Sequence, residues 1–226
     1  MISMNKIKIL DNTSIKLIAI SIMLFNHIGR VFFPGAEIFV KIGEIGFPLF
    51  AFCVSEGFYY TRNKQKYLRN LLIFALISEV FFDYAFFNKP IYWFHQNVLF
   101  TISLAVLFLI IYEKINNSKR SLISKTILIS LILLLFLMVS TLSFTDHDTY
   151  GILLIFIFYV FRDKPILKYS ISAIILYTAF AYGYSVLSIP IIMLYNGKRG
   201  FNLKYFFYLF YPLHLLILII IRELIS

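Results

Sequence analysis

The sequence predicts an all-α fold, a polytopic bundle of about nine transmembrane helices with the N-terminus cytoplasmic and the C-terminus external. Three observations predict it. Of 226 residues 61% are hydrophobic and 14% charged, with a mean hydropathy of +0.86, whereas soluble domains run at roughly 45–50% apolar and 25% charged. The apolar residues are gathered into runs near the roughly 20 residues that a spanning helix requires. The gaps between runs alternate between rich and poor in Lys and Arg.

Taken in order, helices are expected near 13–33, 43–60, 67–87, 97–113, 121–143, 150–161, 166–180, 184–195 and 205–225. The first follows a polar start, MISMNKIKIL, with no small-residue cleavage site, which reads as a retained helix. The sixth to eighth are short for a straight span, which suggests thin, bent or re-entrant elements. Pro48, Pro190 and Pro212 fall within runs and predict kinks there. The basic gaps hold Lys6 and Lys8, then Arg62, Lys64, Lys66 and Arg69, then Lys114, Lys119, Arg120 and Lys125, then Arg162, Lys164 and Lys168, then Lys198, Arg199 and Lys204. The intervening gaps carry Arg30, Glu37 and Lys41, then Lys89 and His95, then Asp146, His147 and Asp148. The positive-inside rule then sets the orientation. Nothing divides the chain, so residues 1–226 are expected to form one domain.

The net charge of +10 would suggest nucleic acid in a soluble protein. Here it sits in short loops between apolar runs, so it reads as topology signal and contact with anionic membrane lipids, with no nucleic acid as partner. The single cysteine, Cys53, lies in an apolar run and forms no intrachain disulfide.

Ionisable groups inside spans cost about 2.5 to 3.5 kcal/mol each on insertion scales, so each marks a candidate site. They are Lys16 and His27 in the first span, with Asn26 beside the latter, Glu56 in the second, Glu79 and Asp83 in the third, and His214 in the ninth. Lys16 falls near the inner end and His27 near the outer, about 16 Å apart at 1.5 Å per residue. Glu79 and Asp83 share a helix face. His27 and Asp83 should lie at similar depth, near His95, Asp146 and Asp148, which suggests a pocket open to the outer surface. Bland readings stand beside these: an interfacial histidine bonding loop backbone for His27, an interhelical hydrogen bond for His214, and a structural pair with Arg62 or Arg69 for Glu56. Asp146, His147 and Asp148 read as a solvated turn, so no metal is expected.

The stretches IKLIAISIMLFNHIGRVF, GEIGFPLFAFCVSEGFYYTRN, LLIFALISEVFFDYAFF, QNVLFTISL, YGILLIFIFY, LYNGKRG and FFYLFYPLHLLIL together resemble the TraX family, associated with N-terminal acetylation of conjugative pilin. The matches run in order from about residue 15 to 220. That family in turn is similar to the broad membrane acyltransferase group, whose first helix carries a basic residue, ten intervening residues and a His. Lys16 and His27 satisfy the spacing, with Lys where Arg is usual. The resemblance implies a bacterial inner-membrane acyltransferase, specific for acetyl groups on the family's precedent, that takes acetyl-CoA from the cytoplasm and modifies an exported peptide N-terminus or glycan. Where such sequences commonly read Asp-His, this one reads Asn26-His27, so the carboxylate partner of the imidazole is missing.

Acetyl transfer requires a base for the acceptor's proton and a donor for the tetrahedral oxyanion. On this reading His27 is the base, His214, Tyr211 or Asn97 serves the oxyanion, and Glu79 or Asp83 orients His27 or binds a cationic amine. Lys16, Glu56, Arg62 and Arg69 lie where coenzyme A would be held. Two rivals use the same residues: a proton-coupled transporter or flippase, against which the absence of internal repeats counts, and a non-catalytic membrane scaffold.

Overall fold

Ten α-helices make up a computed structural model that describes residues 8–225. They are α1 (Asn12–Phe32), α2 (Glu37–Gly43), α3 (Gly46–Tyr60), α4 (Lys64–Phe87), α5 (Val98–Asn116), α6 (Leu122–Leu142), α7 (Asp148–Val160), α8 (Pro165–Ala179), α9 (Ser188–Met193) and α10 (Lys204–Ile225), with a 3-10 turn at Tyr184–Leu187. No strand occurs among the described residues, and Lys6 of the first basic gap lies outside them. Six segments are long and apolar enough to cross a membrane: α1, α2 with α3, α4, α5, α6 and α10. The chain is a multi-pass membrane protein.

Local chemistry explains the boundaries. Asp11, Asn63 and Asn97 each accept a hydrogen bond from a first-turn amide, at 2.7 Å from Ser14, 2.8 Å from Lys66 and 3.0 Å from Leu99, and so cap α1, α4 and α5. The second expected helix, 43–60, starts instead at Gly46, and an unexpected short helix, α2, precedes it across a break at Glu44 and Ile45. Pro48 lies four residues after Glu44 and has no N–H to offer its carbonyl, so the helix restarts with Pro48 in its first turn. Pro190 likewise sits in the first turn of α9; only Pro212 lies inside a helix, α10. The expected helix at 184–195 is a 3-10 turn followed by six α residues. Its entry is pinned by Glu44, whose carboxylate accepts the Tyr182 and Tyr184 amides at 2.9 and 3.0 Å.

The short α7 is the centre of the bundle. Ile152, Leu154, Ile155 and Phe158 are buried against α3, α5 and α8, and a helix wrapped in protein need not match the hydrocarbon thickness. On α6, by contrast, only Phe136 and Ser140 of 21 residues are buried, so that helix faces lipid.

Hydrogen bonds fix the relative direction of the first and last helices. The Asn12 amide donates to the Lys198 carbonyl at 2.9 Å, and the Thr13 hydroxyl donates to the Arg199 and Phe201 carbonyls. Gly200, with φ +74°, makes this approach possible, since a Cβ there would meet the Asp11 carboxylate at 2.6 Å. α10 therefore begins beside the start of α1 and runs parallel to it. At the far end Arg222 donates to the Ala85 and Tyr84 carbonyls that close α4. Residues 10 and 225 thus lie at opposite ends. One end gathers the basic gaps; the other holds the loops with His95 and His147.

Candidate functional site: a histidine pair between the first and last helices

His27 and His214 are 187 positions apart, yet parallel packing of α1 and α10 joins them. His27 Nδ1 lies 2.8 Å from His214 Nε2, and the two rings meet edge to edge, with centroids 5.0 Å apart and planes 21° from parallel. Both are buried, at 7% and 4% exposure. His214 Nδ1 in turn lies 2.9 Å from the Phe210 carbonyl one turn back on α10.

This chain of contacts assigns the protons. A carbonyl only accepts, so His214 Nδ1 carries a hydrogen, and in a neutral ring Nε2 is then an acceptor. His27 Nδ1 must donate to it. His27 Nε2 is left with a free lone pair and no hydrogen bond to any described residue. Around it stand Phe86, edge-on at 5.0 Å, and Tyr211 at 6.4 Å between ring centroids. Arg30, one turn along α1, lies over the Phe86 ring at 4.0 Å. The Tyr211 hydroxyl is buried beside the Val98 amide without an aligned hydrogen bond, so its proton is uncommitted.

Asn26 faces elsewhere. Its amide donates to the Phe39 carbonyl at 3.0 Å and binds α2 to α1, where Gly29 and Gly43 permit the close approach. The residue before His27 therefore serves the α1–α2 contact, and the partner of the imidazole comes from α10.

The family model described as TraX protein matches residues 11–222. The chain belongs to the TraX family. It is 28% identical over 235 residues to a probable fimbrial assembly protein, FimC of serogroup H1, from Dichelobacter nodosus, covering 90% of this chain and 92% of that protein. No solved structure matches.

In this TraX chain the other expected site residues are dispersed. Glu79 accepts from the Asn97 backbone amide at 3.0 Å and from its side-chain amide, which also donates to the Ala75 carbonyl at 2.9 Å. Asp83 accepts the Tyr92 amide at 2.7 Å. These three tie the α4–α5 loop to α4, and none bonds to His27. Asn97 has its side chain fully engaged as the α5 cap. One oxygen each of Glu79 and Asp83 is buried without a partner.

At the basic end Glu56 is paired with Arg162, in place of the expected Arg62 or Arg69. Arg162 Nε and a terminal nitrogen donate to its two oxygens at 2.7 and 3.3 Å, and Arg162 also donates to the Tyr60 hydroxyl at 2.7 Å. The pair spans 106 positions, a separation at which periodicity carries no signal. Arg62 and Arg69 are exposed and make no ion pair with a described residue. Lys16 lies over the Phe207 ring at 5.2 Å with Arg199 nearby, and among the described residues no carboxylate pairs with it.

Sequence reasoning passed over Asp146 as a site residue. It stands between His95 Nε2, at 3.5 Å, and His147 Nε2, at 3.7 Å. Burial alone would raise its carboxyl, but the two imidazoles and Arg30 hold it below the ordinary carboxylate range. Burial lowers the His147 imidazole, with Asp146 opposing. The available signal was that His27, His95 and His147 all fall in or near the cation-poor gaps. Among the described residues no group of three or more ligands is arranged to hold a metal.

Proposed function

We propose that this protein is a membrane acetyltransferase that moves the acetyl group of acetyl-CoA from the cytoplasm to the N-terminal amine of an exported peptide, such as a fimbrial or pilus subunit. The single observation that carries the reading is the His27–His214 pair, which leaves His27 Nε2 as a buried, unprotonated base at neutral pH. Similarity to a probable fimbrial assembly protein of Dichelobacter nodosus supports a surface-fibre subunit as the acceptor. Alternating basic loops support a cytoplasmic N-terminus in a bacterial inner membrane, with the histidine end towards the outside.

His27 Nε2 takes a proton from the attacking nitrogen as the new bond to the thioester carbonyl forms. The Tyr211 hydroxyl, buried and uncommitted, is placed to donate to the carbonyl oxygen as it becomes negative. Collapse breaks the carbon–sulfur bond, and the proton held on His27 neutralises the thiolate. Lys16 and Arg199, two cations without a paired carboxylate, fit the phosphates of the donor. No metal enters the scheme.

The test uses purified protein, labelled acetyl-CoA and a peptide with a free N-terminus. Wild type should transfer label, and His27→Ala should lose at least about 100-fold in rate while eluting as the same monodisperse species. Full turnover by that variant would overturn the assignment of the base. Failure of acetyl-CoA to shift the thermal midpoint of wild type would favour a transporter or scaffold instead.

A further inference from the structure

Beside His27 stands a second cluster of titratable groups that acetyl transfer as described leaves idle. Asp146 is fixed through its peptide, since its amide donates to the Gln96 carbonyl at 3.0 Å and its own carbonyl accepts from Thr101. Its carboxylate is thereby held between the imidazoles of His95 and His147, both too distant or misaligned for a hydrogen bond. The rings are held by stacking: His147 on Phe47 with centroids 3.9 Å apart, and His95 parallel to Phe82 at 5.7 Å. Asp146 lies within electrostatic reach of His27 and of Tyr211. The His95 side chain is 36% exposed, whereas its Nε2, the nitrogen that faces Asp146, is buried.

Proton balance gives this arrangement a task. A peptide N-terminus has a pKa of about 7.7–8.0 and arrives mainly as an ammonium ion. The whole reaction is R–NH3⁺ + CH3CO–SCoA → R–NH–COCH3 + CoA–SH + H⁺. Nitrogen loses two protons and sulfur gains one. His27 Nε2 carries one proton, from nitrogen to sulfur, and is restored. The other must leave before attack, because a protonated nitrogen has no lone pair. Resting on the acetyltransferase reading, we propose that the His95–Asp146–His147 cluster is the second base: Asp146 docks the ammonium group, and His95 takes its first proton and releases it to water. A hydroxyl acceptor would need no such base, since its one proton goes to sulfur. The charged and titratable groups facing the cluster are Arg30 and His27 from α1, Glu79 and Asp83 from α4, and Tyr211 from α10.

The full chain in detergent is assayed with acetyl-CoA and two nucleophiles: a peptide with a free N-terminus, and hydroxylamine, which is uncharged at neutral pH. For His95→Ala we expect a loss of about 10- to 100-fold with the peptide at pH 7. That loss should shrink to under about twofold at pH 9.5, where the amine is neutral, be reversed by added imidazole, and be absent with hydroxylamine. His95→Gln, which keeps size and polarity but cannot carry a proton at this pH, should behave alike and covers the case in which the alanine variant does not fold. An equal loss with both nucleophiles, without imidazole rescue, overturns the second base and leaves the acetyltransferase reading standing. Wild type silent with both nucleophiles overturns that reading and this inference with it.

Discussion

The two ends of the bundle satisfy their polar groups in opposite ways. At the basic end Arg162 grips both oxygens of Glu56, and Glu113 accepts from Lys64 and from the Tyr159 hydroxyl. At the histidine end Asp146 faces two imidazoles without a hydrogen bond to either. Buried oxygens of Glu79, Asp83 and Tyr211 lack partners there. The described non-glycine residues with positive φ, Asn88, Phe144, His147 and Asp148, all fall in its loops or, for Asp148, at the first residue of α7. Strain and unmet hydrogen-bonding capacity persist only where the surrounding structure enforces them, and they gather where a ligand completes the arrangement. The contrast separates the residues that hold the helices together from those left available for chemistry.

If that division is right, mutations at the basic end should cost stability and leave the chemistry of folded molecules intact. The largest effect is expected for Arg162→Met, which strands a buried Glu56 carboxylate. Breaking such a pair costs about 3–5 kcal/mol, read as a lower thermal midpoint in detergent. Adding Glu56→Gln should recover most of it. A double variant no more stable than the single one would show that the pair is dispensable.

Asn97→Ala should come next, although it lies at the histidine end. It removes the α5 cap and two donors facing Glu79 and Ala75, a loss of about 2 kcal/mol. If the α4–α5 loop only frames the site, turnover per folded molecule should fall less than for His27→Ala. A matching loss would move Asn97 from framework to chemistry.

Asn26→Asp supplies the Asp-His pair that the family resemblance leads one to expect. A carboxylate cannot donate to the Phe39 carbonyl, so the change should destabilise by about 1–2 kcal/mol and bring no gain in rate, because His214 already partners His27. A faster enzyme would show that the imidazole can turn from α10 to its own helix neighbour.

The parts of this molecule legible in the sequence are those set by the bilayer. Apolar length marked out the helices, and alternating cations ordered the loops, because lipid imposes both locally along the chain. Breaks inside runs were less visible: Pro48 was read as a kink, whereas it restarts a helix one turn after an interruption. The partner of Glu56 was sought among Arg62 and Arg69 because they are near in sequence, while the fold supplied Arg162 from beyond α6. His27 and His214 were each singled out as costly in lipid, but their pairing needed the parallel course of α1 and α10. That course is set by hydrogen bonds from the Asn12 amide and the Thr13 hydroxyl to carbonyls of the 198–201 loop, and their long-range pairing leaves no trace in composition.

The smallest effect tests the histidine end by titration. Burial lowers the His147 imidazole, so the folded protein holds this ring neutral where an unfolded chain, at about pH 6.5, begins to charge it. His147 then adds no pH dependence above that value. As pH falls below it the unfolded state gains protons that the folded state refuses, and stability declines until the lowered folded pKa is passed. Asp146, held below the ordinary carboxylate range, loses its contribution only at lower pH and does not disturb this window. His147→Phe keeps the stacking with Phe47 and Phe180 and removes the titration. Between pH 7 and 5 the wild-type midpoint should therefore fall more than that of the variant. Parallel curves would mean that His147 is hydrated and titrates normally, and that the histidine end is wetter than its packing implies.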